Sequence, residues 1–289
     1  MATGQDIRDL LGGDRTINMP GVYDALTARL ATEAGFEILF ISGYSVSASR
    51  LGLPDFGYLT QTEVADAARS VCGATDRPVI VDADTGYGNP LSAIRTAGLL
   101  SGAGGAGIFL EDQEWPKRCG HFAGKRVVPA ADWLAKLRAV LDLRAEGVDL
   151  FLVARTDARS AVSLDEAIDR ARAARDLGVD AVFVEAPEQV EELERVAKEV
   201  EGVTLVANMI EGGRTPLLRP AELHDLGFDL IVTPLSALFA ATRAVRDAFA
   251  VLHEQGTLRD RPDLVVSFSD FETVVDLDRH RGLEKRYRS

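Results

Sequence analysis

The sequence predicts an α/β protein: a (β/α)8 TIM barrel with additional C-terminal helices. Three observations carry this. Eight short apolar runs alternate with helical stretches. A length of 289 residues suits one such barrel. Most runs end in Asp, Glu, Arg, Asn or Gly, and barrel active sites form at the strand C-termini.

A short helix over 5–11 precedes the first strand, Thr16 to Gly21. Residues 24–34 read as a helix closed by Gly35, and Glu37 to Gly43 as the second strand. A helix over 61–73 leads to the third strand, Pro78 to Asp84. A helix over 90–102 leads to the fourth, residues 105–111. A helix over 130–145 precedes Leu150 to Arg155, and one over 164–177, closed by Gly178, precedes Ala181 to Glu185. Residues 189–199 are helical, Thr204 to Asn208 is the seventh strand, and a short helix over 220–225 leads to Leu230 to Thr233. The remainder, 236–289, reads as helices around 237–255 and 268–286. No linker isolates it, so residues 1–289 are expected to be a single barrel domain with 236–289 as a helical extension. An open doubly wound sheet is the alternative. The segment Asp84-Thr85-Gly86-Tyr87-Gly88-Asn89-Pro90 has two glycines of a dinucleotide fingerprint but not the third.

Lys plus Arg total 32 against 45 Asp plus Glu, a formal charge of −13. That argues against nucleic-acid or anionic-membrane binding. No apolar run approaches a membrane span. The two cysteines, Cys72 and Cys119, make a disulfide framework unlikely. The opening residues lack the order of a signal peptide, so a cytoplasmic location is expected.

Ser42, Asp82, Asp84, Glu111, Arg155, Glu185 and Asn208 all fall at or just past strand ends, and so gather at one mouth. Asp82 and Asp84 are two apart and share a face of a regular strand. Oxygen donors of this kind favour Mg²⁺ or Mn²⁺ over Zn²⁺. Turn formation and capping explain one such acid easily and the whole set poorly. Asp112, after Glu111, would hold the loop or a water. Next comes Lys117-Arg118-Cys119-Gly120-His121, in which cationic neighbours would lower the Cys119 pKa and suit it to exchange a proton. The plain alternative is a buried free thiol, the reading given to Cys72. His121 would transfer protons or position the loop. Arg155 is suited to clamp a carboxylate, with pairing to Glu185 as its structural alternative. Asn208 and Ser42 offer neutral donors, and Glu211 follows close enough to Asn208 to join the pocket.

These motifs resemble the isocitrate lyase and phosphoenolpyruvate mutase superfamily over nearly the whole chain. The resemblance rests on Ser42 to Ala48, Leu53-Pro54-Asp55, Asp82-Ala83-Asp84, Glu111-Asp112-Gln113 and Lys117 to His121. Petal death protein-like and methylisocitrate lyase-like members are the most similar branch. Carboxyphosphonoenolpyruvate mutases share the cysteine loop. The resemblance implies Mg²⁺, with Mn²⁺ as a substitute, anchored on Asp84, with Asp55, Asp82 and Glu111 holding its waters. It implies that Ser42, Gly43 and Tyr44 bind one end of the substrate, that Arg155 and Asn208 contact carboxylates, and that Cys119 is the acid/base. Tyr44 and Glu185 are the candidates for removing a hydroxyl proton. It further implies a homotetramer, a dimer of dimers exchanging a C-terminal helix.

The leading expectation is a Mg²⁺-dependent carbon–carbon lyase. Its substrate would be a 2-hydroxy dicarboxylate of the 2-alkylmalate, 2,3-dimethylmalate or methylisocitrate type, cleaved to a 2-oxo acid and a carboxylic acid. The alternatives are an oxaloacetate hydrolase giving oxalate and acetate, a phosphorus–carbon mutase or oxaloacetate decarboxylase, and a non-catalytic small-molecule-binding oligomer.

Overall fold

The eight apolar runs become eight parallel strands, and each pairs with the next until the last returns to the first. The computed structural model describes residues 2–119 and 124–288, and in it the strands form a closed barrel in chain order. They are β1 (Ile17–Val22), β2 (Leu39–Ile41), β3 (Val79–Asp82), β4 (Gly107–Glu111), β5 (Phe151–Thr156), β6 (Ala181–Val184), β7 (Thr204–Asn208) and β8 (Leu230–Thr233). Closure is made by β1 on β8, from Ile17 opposite Leu230 to Pro20 opposite Thr233. Every residue of β2, β3, β4 and β6 is buried. That follows from being covered on both faces, and it explains why these strands read as continuous apolar runs rather than alternating ones.

Two apolar cores result. The inner one fills the barrel with Met19, Phe40, Ile80, Phe109, Phe151, Phe183 and Val232. Phe109 sits at its centre, with ring centroids 4.8 Å from Phe40 and 5.7 Å from Phe183. The outer core lies between strands and helices and includes Val81, Leu110, Trp133, Leu137, Leu152, Ile168 and Leu193. The helix Gly4–Leu11 closes the N-terminal end of the barrel. Its Ile7 is fully buried in the inner core, and the Gly4 amide donates to the Asp149 carbonyl just before β5. With that end plugged, the C-terminal end is the one left for a site.

Three local departures from the sequence reading have physical causes. β2 stops at Ile41, because the Ser42 hydroxyl accepts the Ser45 amide and caps an unanticipated helix, Gly43–Leu51. β3 stops at Asp82, because Asp84 has a left-handed backbone, φ 48°. The expected helix over 268–286 is two helices, Phe268–Val274 and Leu277–Tyr287, broken at Asp276 with φ 55°.

The chain divides into two compact units, residues 1–236 and 237–289. The second contains most of the helix Ser236–Gln255, a 3-10 turn and the two helices just named. None of these elements buries a residue, and Phe249, Phe268 and Tyr287 are well exposed. Among the described residues no helix is long and apolar enough to cross a membrane.

Candidate active site

At the C-terminal end of the barrel lies a small cavity, partly open to solvent. Phe40, Phe109, Phe183 and Val232 of the inner core line it together with Ser42, Tyr44, Asp55, Asp82, Cys119, Arg155, Glu185 and Asn208. Ile210, Pro234 and Leu235 add apolar surface. Most of the polar residues singled out by strand position are therefore brought to one place.

The acids form a tight, buried group. Asp55, Asp82, Asp84 and Glu111 are all buried. The Asp84 amide donates to Asp82 Oδ1 at 3.1 Å, and the Gly43 amide to Asp82 Oδ2 at 3.3 Å. Glycine at position 43 lets the backbone approach the acids: a Cβ there would lie 3.0 Å from Asp82 Oδ2 and 3.4 Å from Asp84 Oδ1, so a larger residue would have to displace these carboxylates. Tyr87 donates its hydroxyl to Asp84 Oδ2 at 2.8 Å. The strained turn carrying Asp84 is braced by two side chains. Lys136 Nζ donates to the Thr85 carbonyl at 3.0 Å, and the Thr96 hydroxyl to the Gly86 carbonyl at 3.1 Å. Lys117, buried, sets its ammonium 2.6 Å from both Asp55 and Asp84. Burial alone would lower the Lys117 pKa, but Asp84, Asp55, Asp82 and Glu111 together raise it well above the usual lysine range. Burial pushes the Glu111 carboxyl well up despite Arg155. Burial and then Asp84 raise Asp82.

Among the described residues no three His, Cys, Asp or Glu side chains converge into a ready-made metal cage. The donor set nonetheless fits a hydrated divalent ion. Among the described residues, Glu111 Oε1 is buried with no hydrogen-bond partner, and Asp84 Oδ1 has only the Lys117 ammonium beside it. Mg²⁺ keeps several waters and needs only one or two direct carboxylates, so an anchoring acid with others a water away suits it better than a closed cage.

Beside Glu111, on the next strand, Arg155 meets three acids. Its Nε lies 3.0 Å from Asp157 Oδ2 and 3.4 Å from Glu111 Oε2, and its Nη2 lies 3.2 Å from Glu185 Oε2. The guanidinium also stacks over Phe183, 5.5 Å from the ring centroid. Asn208 Nδ2 donates to both oxygens of Glu185, at 3.2 and 3.3 Å. The pairing with Glu185 expected as the structural alternative is present, and Arg155 also lines the cavity.

Cys119 enters the cavity through its loop, its amide donating to the Asp55 carbonyl at 3.2 Å. The loop has an ordered stem. The Gln113 side chain donates to the Arg118 carbonyl at 2.8 Å and accepts the Arg118 amide at 2.9 Å, and Gln113 bridges Val127 in antiparallel fashion. His121 lies outside the described residues. Cys72 fits its plain reading, a thiol that burial pushes up to about 11. Asp112 holds backbone rather than facing the cavity. It accepts from the Thr156 hydroxyl, the Asp157 amide and Arg170, and burial followed by Asp157 pushes it up to about 6.

Glu211 is not brought into the cavity. The chain turns Met209 and Ile210 inward, then leaves through a turn at Gly212, φ 72°, and Glu211 is exposed, accepting the Ser236 hydroxyl. The sequence reading missed Tyr87, Lys125, Lys136 and Asp157. Tyr87 and Asp157 were within reach, since each lies two or three residues beyond a residue already singled out. Lys125 and Lys136 gave no signal, because their partners are remote in the chain.

The closed barrel, with buried acids and Cys119 at a cavity in its C-terminal end, defines a barrel enzyme of small-molecule chemistry. Residues 7–253 match the family model described as phosphoenolpyruvate phosphomutase, and the chain belongs to this family, within the isocitrate lyase and phosphoenolpyruvate mutase superfamily. It groups there with petal death protein and methylisocitrate and dimethylmalate lyase homologues, and it is an enzyme. It is 50% identical over 273 residues to a carboxyvinyl-carboxyphosphonate phosphorylmutase of Arabidopsis thaliana, covering 93% of this chain and 80% of that protein. It is 40% identical over 287 residues to a 2,3-dimethylmalate lyase of Eubacterium barkeri, covering 99% of each. A solved oxaloacetate acetylhydrolase, in complex with 3,3-difluorooxalacetate, superposes with a TM-score of 0.92 at 35% identity, covering 98% of this chain and 96% of that one. The superfamily thus holds carbon–carbon lyases, phosphorus–carbon mutases and a hydrolase, and Mg²⁺ is its typical cofactor.

Proposed function

We propose that this enzyme cleaves the C2–C3 bond of a short dicarboxylate. One observation carries the reading: Cys119 and Arg155 line the same small cavity. Breaking that bond leaves an enolate that needs both a proton and a cation. The Cys119 thiol can supply the proton to carbon, and Arg155 the charge on a carboxylate. Carboxyphosphonoenolpyruvate mutases share the cysteine loop, so phosphonates belong in the test.

Asp84 is the residue to hold Mg²⁺, with Asp55, Asp82 and Glu111 at the remove of a water. When bound, the ion supplies positive charge beside the C2 oxygen, where negative charge develops. Ser42, Gly43 and Tyr44 hold that end of the substrate. Glu185 is the better candidate for the hydroxyl proton. Burial, then Cys119 and Asp55, raise the Tyr44 pKa, so its phenolate is costly, whereas Glu185 is oriented by Arg155 and Asn208.

Two substrates fit this chemistry. We favour oxaloacetate, hydrolysed through its hydrate to oxalate and acetate, over the lyase expected from the sequence; the likeness to the solved oxaloacetate acetylhydrolase supports this substrate. The relative at 50% identity carries the name of a mutase, another of the alternatives. A second reading, cleavage of a 2-alkylmalate, is supported by the apolar wall of Ile210, Val232, Pro234 and Leu235, which would accept an alkyl group. Thr233 and Ser236, hydroxyls that would separate the two, are engaged with Asn18 and Glu211. A tricarboxylate fits less well, since among the described residues Arg155 is the only Arg or Lys lining the cavity.

We read residues 1–289 as one barrel domain with its extension. Homotetramer assembly by exchange of a C-terminal helix is supported by the exposed apolar residues of the second unit. A cytoplasmic location is consistent with two free cysteines.

The test incubates purified protein and Mg²⁺ with oxaloacetate, 2,3-dimethylmalate, 2-ethyl-3-methylmalate, methylisocitrate, phosphonopyruvate and carboxyphosphonoenolpyruvate, following products by NMR. Oxalate plus acetate supports the hydrolase, and a 2-oxo acid plus a carboxylic acid the lyase. Turnover of the phosphonates alone would overturn carbon–carbon cleavage.

A further inference from the structure

Arg155 sits among three carboxylates, and something must decide which of them sets its plane. Asp157 makes the two-pronged contact, Oδ2 to Nε at 3.0 Å and Oδ1 to Nη2 at 3.3 Å. Glu111 lies 3.4 Å from Nε and Glu185 3.2 Å from Nη2. The rotation of a carboxylate about its last torsion is soft, so a second donor is needed to fix it. Lys125 is that donor: its Nζ lies 2.6 Å from Asp157 Oδ1, with both side chains essentially buried. The backbone beneath is fixed independently, the Asp157 amide donating to Asp112 Oδ1 at 2.8 Å.

Lys125 belongs to the β4–β5 connection that also carries Lys117 and Cys119. That connection is pinned at both ends of the cysteine loop, by Lys117 on Asp55 and Asp84 and by Lys125 on Asp157. Its stem is zipped by Glu114 to Arg126 and by Val128 to Asp112. A single segment therefore delivers Cys119 to the cavity and holds the acid that grips the Arg155 guanidinium.

We infer that Lys125 and Asp157 are positioning residues for Arg155, Lys125 fixing the Asp157 carboxylate and Asp157 fixing the plane of the substrate-facing guanidinium. The inference rests on the reading that Arg155 grips a substrate carboxylate. Neither is among the described residues that line the cavity, so removing Lys125 should impair carboxylate binding without removing a cavity-lining group.

The experiment uses the full chain with Mg²⁺ and oxalate as the probe, measured by titration calorimetry. Wild type, Lys125→Met, Lys125→Arg and Asp157→Asn are compared, and wild type and Lys125→Met are crystallised. Expected for Lys125→Met is oxalate affinity weaker by about tenfold or more, a higher KM with a smaller change in kcat, and a guanidinium turned away from its wild-type plane. Lys125→Arg, which keeps a donor, recovers part of the affinity. A purely structural ion pair would lower the melting temperature and leave affinity, KM and the guanidinium unchanged, which would overturn the inference. If Lys125→Met does not fold, Asp157→Asn, close in shape, is read by the same criteria. If wild-type protein neither binds oxalate nor turns over any substrate, the proposed function fails. The crystal comparison still decides this inference, a displaced guanidinium supporting it and an unmoved one refuting it.

Discussion

Tyr87 donates its phenolic hydroxyl to Asp84 Oδ2 at 2.8 Å, from a backbone that is left-handed at both residues. The pair makes the turn after β3 a rigid holder for one carboxylate. Burial, followed by Asp84 itself, raises the Tyr87 pKa well above the usual phenol range, so the hydroxyl remains a donor throughout the working pH range. Tyr87→Phe removes the donor and leaves the ring packed on Trp115, 5.7 Å between centroids. Mg²⁺ affinity, measured by calorimetry, should fall by about 10-fold, the usual cost of losing a hydrogen bond behind a metal ligand. An unchanged affinity would remove Asp84 from the metal site.

Lys117 is the counter-ion of the acidic group before it is anything else. Lys117→Met leaves Asp55 and Asp84 buried without their shared cation, and breaking a buried pair from one side costs about 3–5 kcal/mol. Urea unfolding without added metal should show a loss of that order, and Mg²⁺ should restore part of it. A variant as stable as wild type would mean that the acids shed their charge at little cost.

Cys119→Ser keeps the shape of the loop and replaces the thiol with a much weaker acid. Turnover should drop by a factor of about 10² to 10⁴, the range for loss of a positioned acid, with oxalate affinity nearly unchanged. Parallel loss of binding and turnover would instead assign Cys119 to the cavity wall.

Asp157 supplies a pH signature. Burial alone would raise its pKa, but Arg155 and Lys125 outweigh burial and hold it well below the usual carboxylate range. A depressed native pKa contributes stability that is fully present above the unfolded value, about 3.9, and is lost as pH falls through the native value. The stability gap between wild type and Asp157→Asn should be widest near neutrality and narrow as the medium is acidified below about pH 4. Urea midpoints across that range measure it. A gap independent of pH would refute the low native pKa.

The barrel was legible because strands covered on both faces must be apolar throughout, and the turns between them are marked by glycine and acids. The helix Gly43–Leu51 was not, since Ser42 reads equally well as the end of a strand and as a helix cap, and only the accepted Ser45 amide decides. The cavity acids and Arg155 were legible as strand-ending polar residues. Their partners were not: Lys125 meets Asp157, and Lys136 meets Thr85, across distances in the chain that only the closed barrel abolishes. Glu211 shows the reverse failure, a residue near in sequence that a turn carries away from the cavity.

The ring layer of Phe40, Phe109 and Phe183 belongs to both the barrel interior and the cavity floor. Any change that deepened the pocket would hollow out the part of the molecule that holds the eight strands together. Truncating one of these rings would cost about 3–5 kcal/mol, a large share of a typical protein's whole stability. The floor is therefore closed to experiment by evolution, and new substrates can be admitted only from above. In this chain the aromatic layer fixes where the chemistry happens and leaves to the surrounding loops the choice of what it is done to.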